Sequence, residues 1–566
     1  MKKNAVSSLL TALFLLGGGF VTAQTLVFEW VKSLNGSSPG APLNAVVTDL
    51  DTDPAGNTYL CGEFRNTLDL GNGMILTGNG DDAVFFLAKY SAAGQPQWAK
   101  KIMQLAPSAG PAFNYSAKIS LDNAGNVHWC GNYRASSLDF GSGTTITRSC
   151  NNDCQEGFLA RVGPDGALAF VKAIRAAVGQ EFSISGVAAA PGGEHAVTGT
   201  YTGAELWLQG GANIGGLASE GYFLAYYNAN GGAEWIAFQN PDGGQPRARS
   251  IAMSPNGTGI VVSGTYDTPA VNFGNGAFTE SDAPVRQFFV WYNTLGQPTG
   301  VGTLDTDEDL GILDLKVDAQ QRVWSACDFR GNLRWNGATL ATVENGNMAI
   351  VNMRPEQANL AAPIEFSGNS YPVTSLALRA DGQWYAGGYF SNSVNVPGAG
   401  VLNSAGCADL LLLGGASQTI NWARKVGGGG CEYLANEYYG ALMDADDAGH
   451  IYLAGSFVNN GVFDSHNLSG NGLWVGKLGD GMVNTGEKAA SELSISPNPA
   501  QDAVSVTIPA PGRVRVFAAS GQLMQDTYAD QTTFLVPTAH WPAGLYYLEF
   551  KDTNGQFSTR KWAIVR

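Results

Sequence analysis

Gly36-Ser37-Ser38-Pro39-Gly40 fits the G-x-S-x-G frame of a nucleophilic serine. That frame works only when a strand precedes the serine and a helix follows it. Here Pro39 and Gly40 prolong a loop, so Ser38 is read as a chance match in a glycine-rich chain. The five histidines are the natural general bases, but His128, His195 and His450 fall in or beside the same phrase of three different repeats. Such spacing predicts satisfied core or turn histidines rather than a triad or a metal cluster. "DLDTDPAGN" (49–57) and "DADDAGH" (444–450) alternate aspartates in the manner of a calcium loop. The twelfth position counted from Asp49 is Leu60, where an EF-hand needs a bidentate glutamate. Asx turns are therefore the expected role of Asp51, Asp53 and Asp447. No cofactor motif is present, and calcium stays open as the one ion these loops could take. Trp207, Trp335 and Trp474 are candidates for stacking on sugars, against a usual role of packing between sheets.

Seven cysteines allow two disulfides in an oxidising compartment, Cys150 with Cys154 and Cys407 with Cys431. Cys61, Cys130 and Cys327 recur in strand patterns and read as buried thiols. None of the spacings supplies the CxxC pair of a zinc site. A formal charge of -16 and a pI near 4.7 argue against nucleic acid as a partner, because phosphate binding draws on clustered Lys and Arg.

The elements that must position these residues come from a repeat. "GNTYLCGEF" (56–64) returns as "GNVHWCGNY" (125–133), "EHAVTGTY" (194–201), "TGIVVSGTY" (258–266), "RVWSACDF" (322–329), "QWYAGGYF" (383–390) and "HIYLAGSF" (450–457). The landmark is Gly62, Gly131, Gly199, Gly264, Cys327, Gly388 and Gly455, at intervals of 61 to 69 residues. A fixed period of this kind marks a repeat architecture. A second phrase follows each time, an apolar run, a Gly-centred turn and then an aromatic, as in "FFLAKYSAAGQPQW", which reads as a hairpin. Glycine, 74 of 566 residues against a usual share of about 7%, suits many short strands and tight turns. Four antiparallel strands per unit make a propeller blade. The seventh unit lacks its "QW" strand, while "TLVFEWVKSLNG" (25–36) precedes the first unit with Trp30 standing where Trp98 stands. The expectation is a seven-bladed ring from 24 to 480 whose last blade is completed by its first strand, leaving no open edge.

Both ends of the chain read differently. Lys2-Lys3, an apolar run from Ala5 to Leu16 and the small residues Val21 and Ala23 predict a secretory leader over 1–23, cleaved between Ala23 and Gln24. The run is too short for a good membrane span, and no other span is found. Residues 481–492, "GMVNTGEKAASE", read as a linker. From 493 to 566 short strands alternate with turns, opening on "SPNPAQD", whose two prolines forbid a helix and central sheet pairing. This is expected to be a small immunoglobulin-like β-sandwich, making the whole chain all-β.

The tail resembles the C-terminal sorting domain of the type IX secretion system of Bacteroidetes-type bacteria, through "SISPNPAQDAVSV", "VRVFAASGQLM", "PAGLYYLEF" and "KWAIV" in that order. Its motif residues are Pro497, Asn498, Pro499, Gly521, Gly544, Tyr546 and Lys561. The resemblance implies passage through the periplasm, engagement by the type IX machinery, and removal of the tail with attachment at the outer surface. The repeat units also resemble bacterial propeller repeats with D-x-x-G-N-x-Y and D-A-F-x-x-K-Y phrases, of which units three to six keep fragments.

Propellers host binding and catalysis alike, so fold does not choose. The leading expectation is a secreted or surface-anchored, monomeric, non-catalytic propeller that binds a protein or a glycan. The alternatives are a polysaccharide hydrolase or lyase and a structural surface-layer protein. Acidic or histidine side chains converging in the central funnel would mark the enzyme.

Overall fold

The computed structural model describes residues 26–37, 44–105, 116–149, 154–176, 182–202, 205–209, 213–215, 220–239, 246–274, 276–366, 370–434, 442–480, 494–508, 511–518, 522–552 and 557–565. Chain contacts divide it into two units, Met1–Met482 and Val483–Arg566.

The first unit is a seven-bladed β-propeller among the described residues. Blade 1 runs outward from Ala45–Thr52 through Thr58–Phe64 and Val84–Tyr90 to Pro96–Leu105, all antiparallel. The same four-strand order repeats in blades 2 to 6, whose innermost strands are Lys118–Leu121, Phe182–Ala189, Arg247–Met253, Leu310–Val317 and Tyr371–Leu378. In blade 7 the innermost position is shared by Cys431–Leu434 and Met443–Ala445. Its outermost strand is Leu26–Ser37, paired antiparallel with Asn471–Asp480 from Leu26↔Asp480 to Ser37↔Asn471. Innermost strands adjoin in cyclic order, with Met443–Ala445 beside Ala45–Thr52. Seven hydrophobic clusters fill the seven junctions between neighbouring blades, and the one joining blade 7 to blade 1 is built on Trp30, Leu34, Val47, Leu50, Tyr452 and Val475.

The landmark glycine has a steric cause. The innermost strand carries a register shift opposite it, between Val47 and Asp49 in blade 1 and between Ala248 and Ser250 in blade 4. The bulge pushes a carbonyl toward the second strand, so that a Cβ at Gly62 would lie 2.0 Å from Val46 O and one at Gly264 2.0 Å from Arg247 O. Bulges of this kind bend a strand and re-aim its side chains. The aromatic of the "QW" phrase also has a defined seat. Trp30 donates Nε1–H to Ala92 O at 3.0 Å, and its ring fills the space over Gly94, whose φ is +71°. Trp98 repeats this on blade 2, to Pro164 O at 2.9 Å and over Gly166, and Trp235 on blade 4, to Thr294 O at 2.8 Å and over Gly296. At these three junctions the outer strand thus clasps the hairpin turn of the next blade.

The second unit packs Ser494–Ser496, Ala503–Thr507 and Thr533–Pro537 against a sheet of Leu523–Ala529, Gly512–Ala518, Gly544–Asp552 and Phe557–Ile564. Val504, Val514, Val516, Leu548, Phe550 and Trp562 form its core.

Candidate functional site

The innermost strands surround a channel of about 980 Å³. Alternation along each strand turns every second side chain toward it. Asp49 and Asp51 of blade 1, Lys118 and Ser120 of blade 2, Arg249 of blade 4, Asp314 and Lys316 of blade 5 and Asp444 of blade 7 all line it. Sequence reasoning assigned Asp51 to a turn and met Asp49 and Asp444 only as parts of calcium-like loops, and missed that all three meet Asp314 and the two lysines. The signal was the shared phase of charged residues in the opening strands of the repeats.

Most of these polar groups are committed to ring construction. Asp49 accepts N–H from Leu50 at 3.0 Å and, across the junction, from Ile119 at 2.9 Å. Asp51 does the same with Thr52 at 2.8 Å and Leu121 at 2.7 Å, and Asp314 with Leu315 and Leu376, both at 2.7 Å. Ser120 Oγ accepts from Ala189 N, and Ser375 Oγ from Leu442 N. At the bulge, Thr48 Oγ1 donates to Ala117 O at 2.8 Å and Ser185 Oγ to Ala248 O at 2.7 Å.

Burial pushes the carboxyl pKa of Asp49 and Asp314 up, opposed by the lysines and the N–H donors. Asp51 is pushed well up by burial and by the neighbouring Asp444 charge. Asp444 is itself raised by burial, opposed by Lys316 and by a hydrogen bond with Asp51. Two buried carboxyls in contact resist ionising together, so the pair holds a proton to higher pH than an isolated aspartate would. Burial lowers the Lys316 pKa less than Asp314, Asp444, Asp51 and Asp49 raise it, so it stays protonated.

The remaining sequence candidates are dispersed. Ser38, Cys150, Ala23, Gln24 and Gly521 lie outside the described residues. Asp53 organises its turn: Oδ1 accepts from Ala55 N and Asn57 N, and Oδ2 from Asn57 Nδ2 and Tyr59 OH. Asp446 does the same with His450 and Tyr452, while Asp447 is exposed. This is turn chemistry, and among the described residues no three His, Cys, Asp or Glu side chains are grouped to hold a metal ion. Trp335 and Trp474 are buried core residues, and Trp207 lies under Arg175, whose guanidinium is 3.6 Å from the ring centre.

His128 and His195, sixty-seven positions apart by number, meet at the junction of blades 2 and 3 with ring centres 4.2 Å apart. Both are fully buried. His195 donates Nδ1–H to Gly193 O at 3.1 Å and stacks on Tyr227, while its Nε2 and both His128 nitrogens lack a hydrogen-bond partner. Burial drives the His195 pKa down to about 3. It lowers that of His128 too, against Asp122, whose Oδ2 is 3.6 Å away. The pair is a neutral packing element away from the channel.

Cys407 and Cys431 are joined by a disulfide with Cα atoms 5.1 Å apart. Cys154 is also disulfide-bonded, and Cys61, Cys130 and Cys327 are free and buried.

In the tail, Pro497, Asn498 and Pro499 are exposed, and both prolines follow cis peptide bonds. Asn498 Oδ1 accepts from Ala563 N at 3.0 Å, Ala500 N donates to Ala563 O, and Val565 N donates to Ala500 O. The opening motif is thereby fastened to the closing strand. Tyr546 is buried between Trp541 and Trp562, with its hydroxyl on Pro542 O. Gly544 and Lys561 are exposed.

No helix among the described residues is long and apolar enough to cross a membrane. No curated protein matches the chain. Among solved structures it is similar to a puromycin hydrolase variant, 12% identical over 90% of this chain and 59% of that one, TM-score 0.40. It is also similar to PorZ, a surface component of the type IX secretion system of Porphyromonas gingivalis, 12% identical over 93% and 83%, TM-score 0.19. A third is a neuraminidase-like protein of a bat influenza A virus, 10% identical over 81% and 97%, TM-score 0.25. At these TM-scores the likenesses carry no argument about function. The match that does covers residues 494–565, which fit the secretion system C-terminal sorting domain. The tail is a sorting domain of the type IX kind, and the chain is exported through the periplasm to the cell surface or beyond.

Proposed function

We propose that the ring is a monomeric, non-catalytic binding body for a glycan or a protein, carried to the surface by its tail. The supporting observation is the hydrogen-bond occupancy of the channel carboxylates: Asp49, Asp51 and Asp314 each accept two backbone N–H groups, one of them from the next blade. A carboxylate so held is a structural latch, poorly placed to attack a substrate or shuttle its proton. Within this reading the leader ends at Ala23, the binding body spans 24–480, and the tail from 493 is released by cleavage between about 486 and 492, where the small, polar sequence suits a protease cleft.

A second reading, a secreted polysaccharide hydrolase or lyase, is favoured by one feature, the proton-sharing Asp51 and Asp444 on the channel wall. The experiment that separates them is a screen of the mature chain against glycans and outer-membrane proteins, with product release followed in the same samples. Retention without turnover supports the binder. Turnover abolished by Asp444→Asn establishes the enzyme.

A further inference from the structure

The bulge of the innermost strand holds a short hydroxyl in several blades: Thr48 and Ser185 donate to a carbonyl of the next blade, and Thr374 Oγ1 faces Leu434 O at 3.4 Å. Blade 5 places the apolar Leu313 there, and blade 4 departs further with a charged side chain. Its bulge residue is Arg249, skipped by the ladder between Ala248 and Ser250. The side chain is exposed on the channel wall, with no hydrogen bond or ion pair among the described contacts. Local rules broken in a repeat are where function is expected. The other channel cations are committed: Lys118 donates to Thr48 O at 2.9 Å, and Lys316 is held among four aspartates. A second group points the same way. Gln287 lines the same channel and is 5% exposed, yet its Oε1 has no hydrogen-bond partner. An unmade bond of this kind is costly unless something else supplies the donor.

We infer that the blade 4 wall of the channel is a subsite for a sugar carboxylate, a uronic acid unit of an acidic glycan, with Arg249 on the carboxylate and Gln287 Oε1 accepting from a sugar hydroxyl. This deepens the binding reading above and rests on it. A planar guanidinium with several fixed donors matches a carboxylate better than any other charged group. An extended peptide is the poorer fit, because it would need free backbone along the innermost strands. The N–H groups of Ile119, Leu121, Ala189, Leu376 and Leu442 are already taken by side chains of the preceding blade.

The test is calorimetric titration of the mature chain with a galacturonic acid tetrasaccharide, its methyl ester, and a short peptide with a free C-terminal carboxylate. The expected result is binding of the acid, at least tenfold weaker for the ester, and weakened by added salt as a charge contact must be. Arg249→Gln should lose that tenfold preference with the melting temperature unchanged, and Gln287→Leu should weaken acid and ester alike. Equal binding of acid and ester, preference for the peptide, or an Arg249→Gln protein that still prefers the acid would overturn the subsite. Failure of the parent reading looks different: the tetrasaccharide would be cleaved, whatever the state of Arg249.

Discussion

Removing residues 24–36 from the mature chain should open the ring. Leu26, Phe28, Trp30, Val31 and Leu34 are all buried in the closing strand. At about 1.5–3 kcal/mol per fully buried apolar side chain, their loss amounts to about 7–15 kcal/mol, as large as the whole stability of a typical domain. The strand is held by polar contacts as well: Phe28 N donates to Asp464 Oδ2 at 2.9 Å, and Arg424 of blade 6 donates to Leu26 O and to Asp464. Trp30→Ala alone empties the seat over Gly94 and should cost about 3–5 kcal/mol. Trp98→Ala should cost less, since Trp98 remains half-buried in the same clasp. The assay is guanidinium unfolding followed by tryptophan fluorescence, with the midpoint and slope compared across parent, deletion and point variants. A synthetic peptide of residues 24–37 added to the deletion should raise its midpoint. A deletion that unfolds at the parent midpoint would refute the closure argument.

The buried histidine pair makes the ring acid-sensitive. A depressed folded pKa means the unfolded chain binds the proton first, so stability is full above the ordinary histidine pKa and falls as pH drops below it. From pH 7 to pH 5, His195 accounts for a loss of about 2 kcal/mol, and His195→Phe should flatten that slope in denaturant titrations. Asp51 has the opposite sign, because a raised carboxyl pKa penalises the fold as pH rises above the ordinary aspartate value. Asp51→Asn should therefore raise the unfolding midpoint at pH 8 and leave it unchanged at pH 3. Cys407→Ser opens a loop of 24 residues and should cost about 3 kcal/mol, a loss that reductant reproduces in the parent and not in the variant. Deleting 493–566 should leave a ring with the parent circular dichroism spectrum that accumulates in the periplasm. Its appearance on the surface would remove the address role of the tail.

The sequence made the ring legible because its markers are steric. Gly62 and its counterparts recur where a bulged carbonyl crowds the second strand, and Trp30 and Trp98 recur where a ring must lie on a turn glycine. What stayed hidden was mostly between blades. The carboxylates of Asp49 and Asp314 belong to units far apart in the chain, and only closure brings them to one channel. Three of the small hairpins between second and third strands, Ser137–Asp139 with Thr145–Thr147 for example, pair onto the outer strand of the preceding blade. Their signal, "SLDFGSGTTIT" beside "TLDLGNGMILT", was present but lay in the part of the repeat to which no strand was assigned. The contact of His128 with His195 escaped for a similar reason, since positions one step out of register in adjacent repeats look dispersed until the repeats are stacked.

Closure by the first strand also decides how the ring bears mechanical load. Asn471–Asp480, the strand from which the tail departs, lies inside blade 7, laddered on one side to Ile451–Val458 and on the other to Leu26–Ser37. Had the last strand of the ring been its outermost one, tension on the tail would peel it from the rim one pair at a time. As built, a pull transmitted through Asp480 is shared by two ladders, and the strand left on the rim is the one to which the tail is not attached.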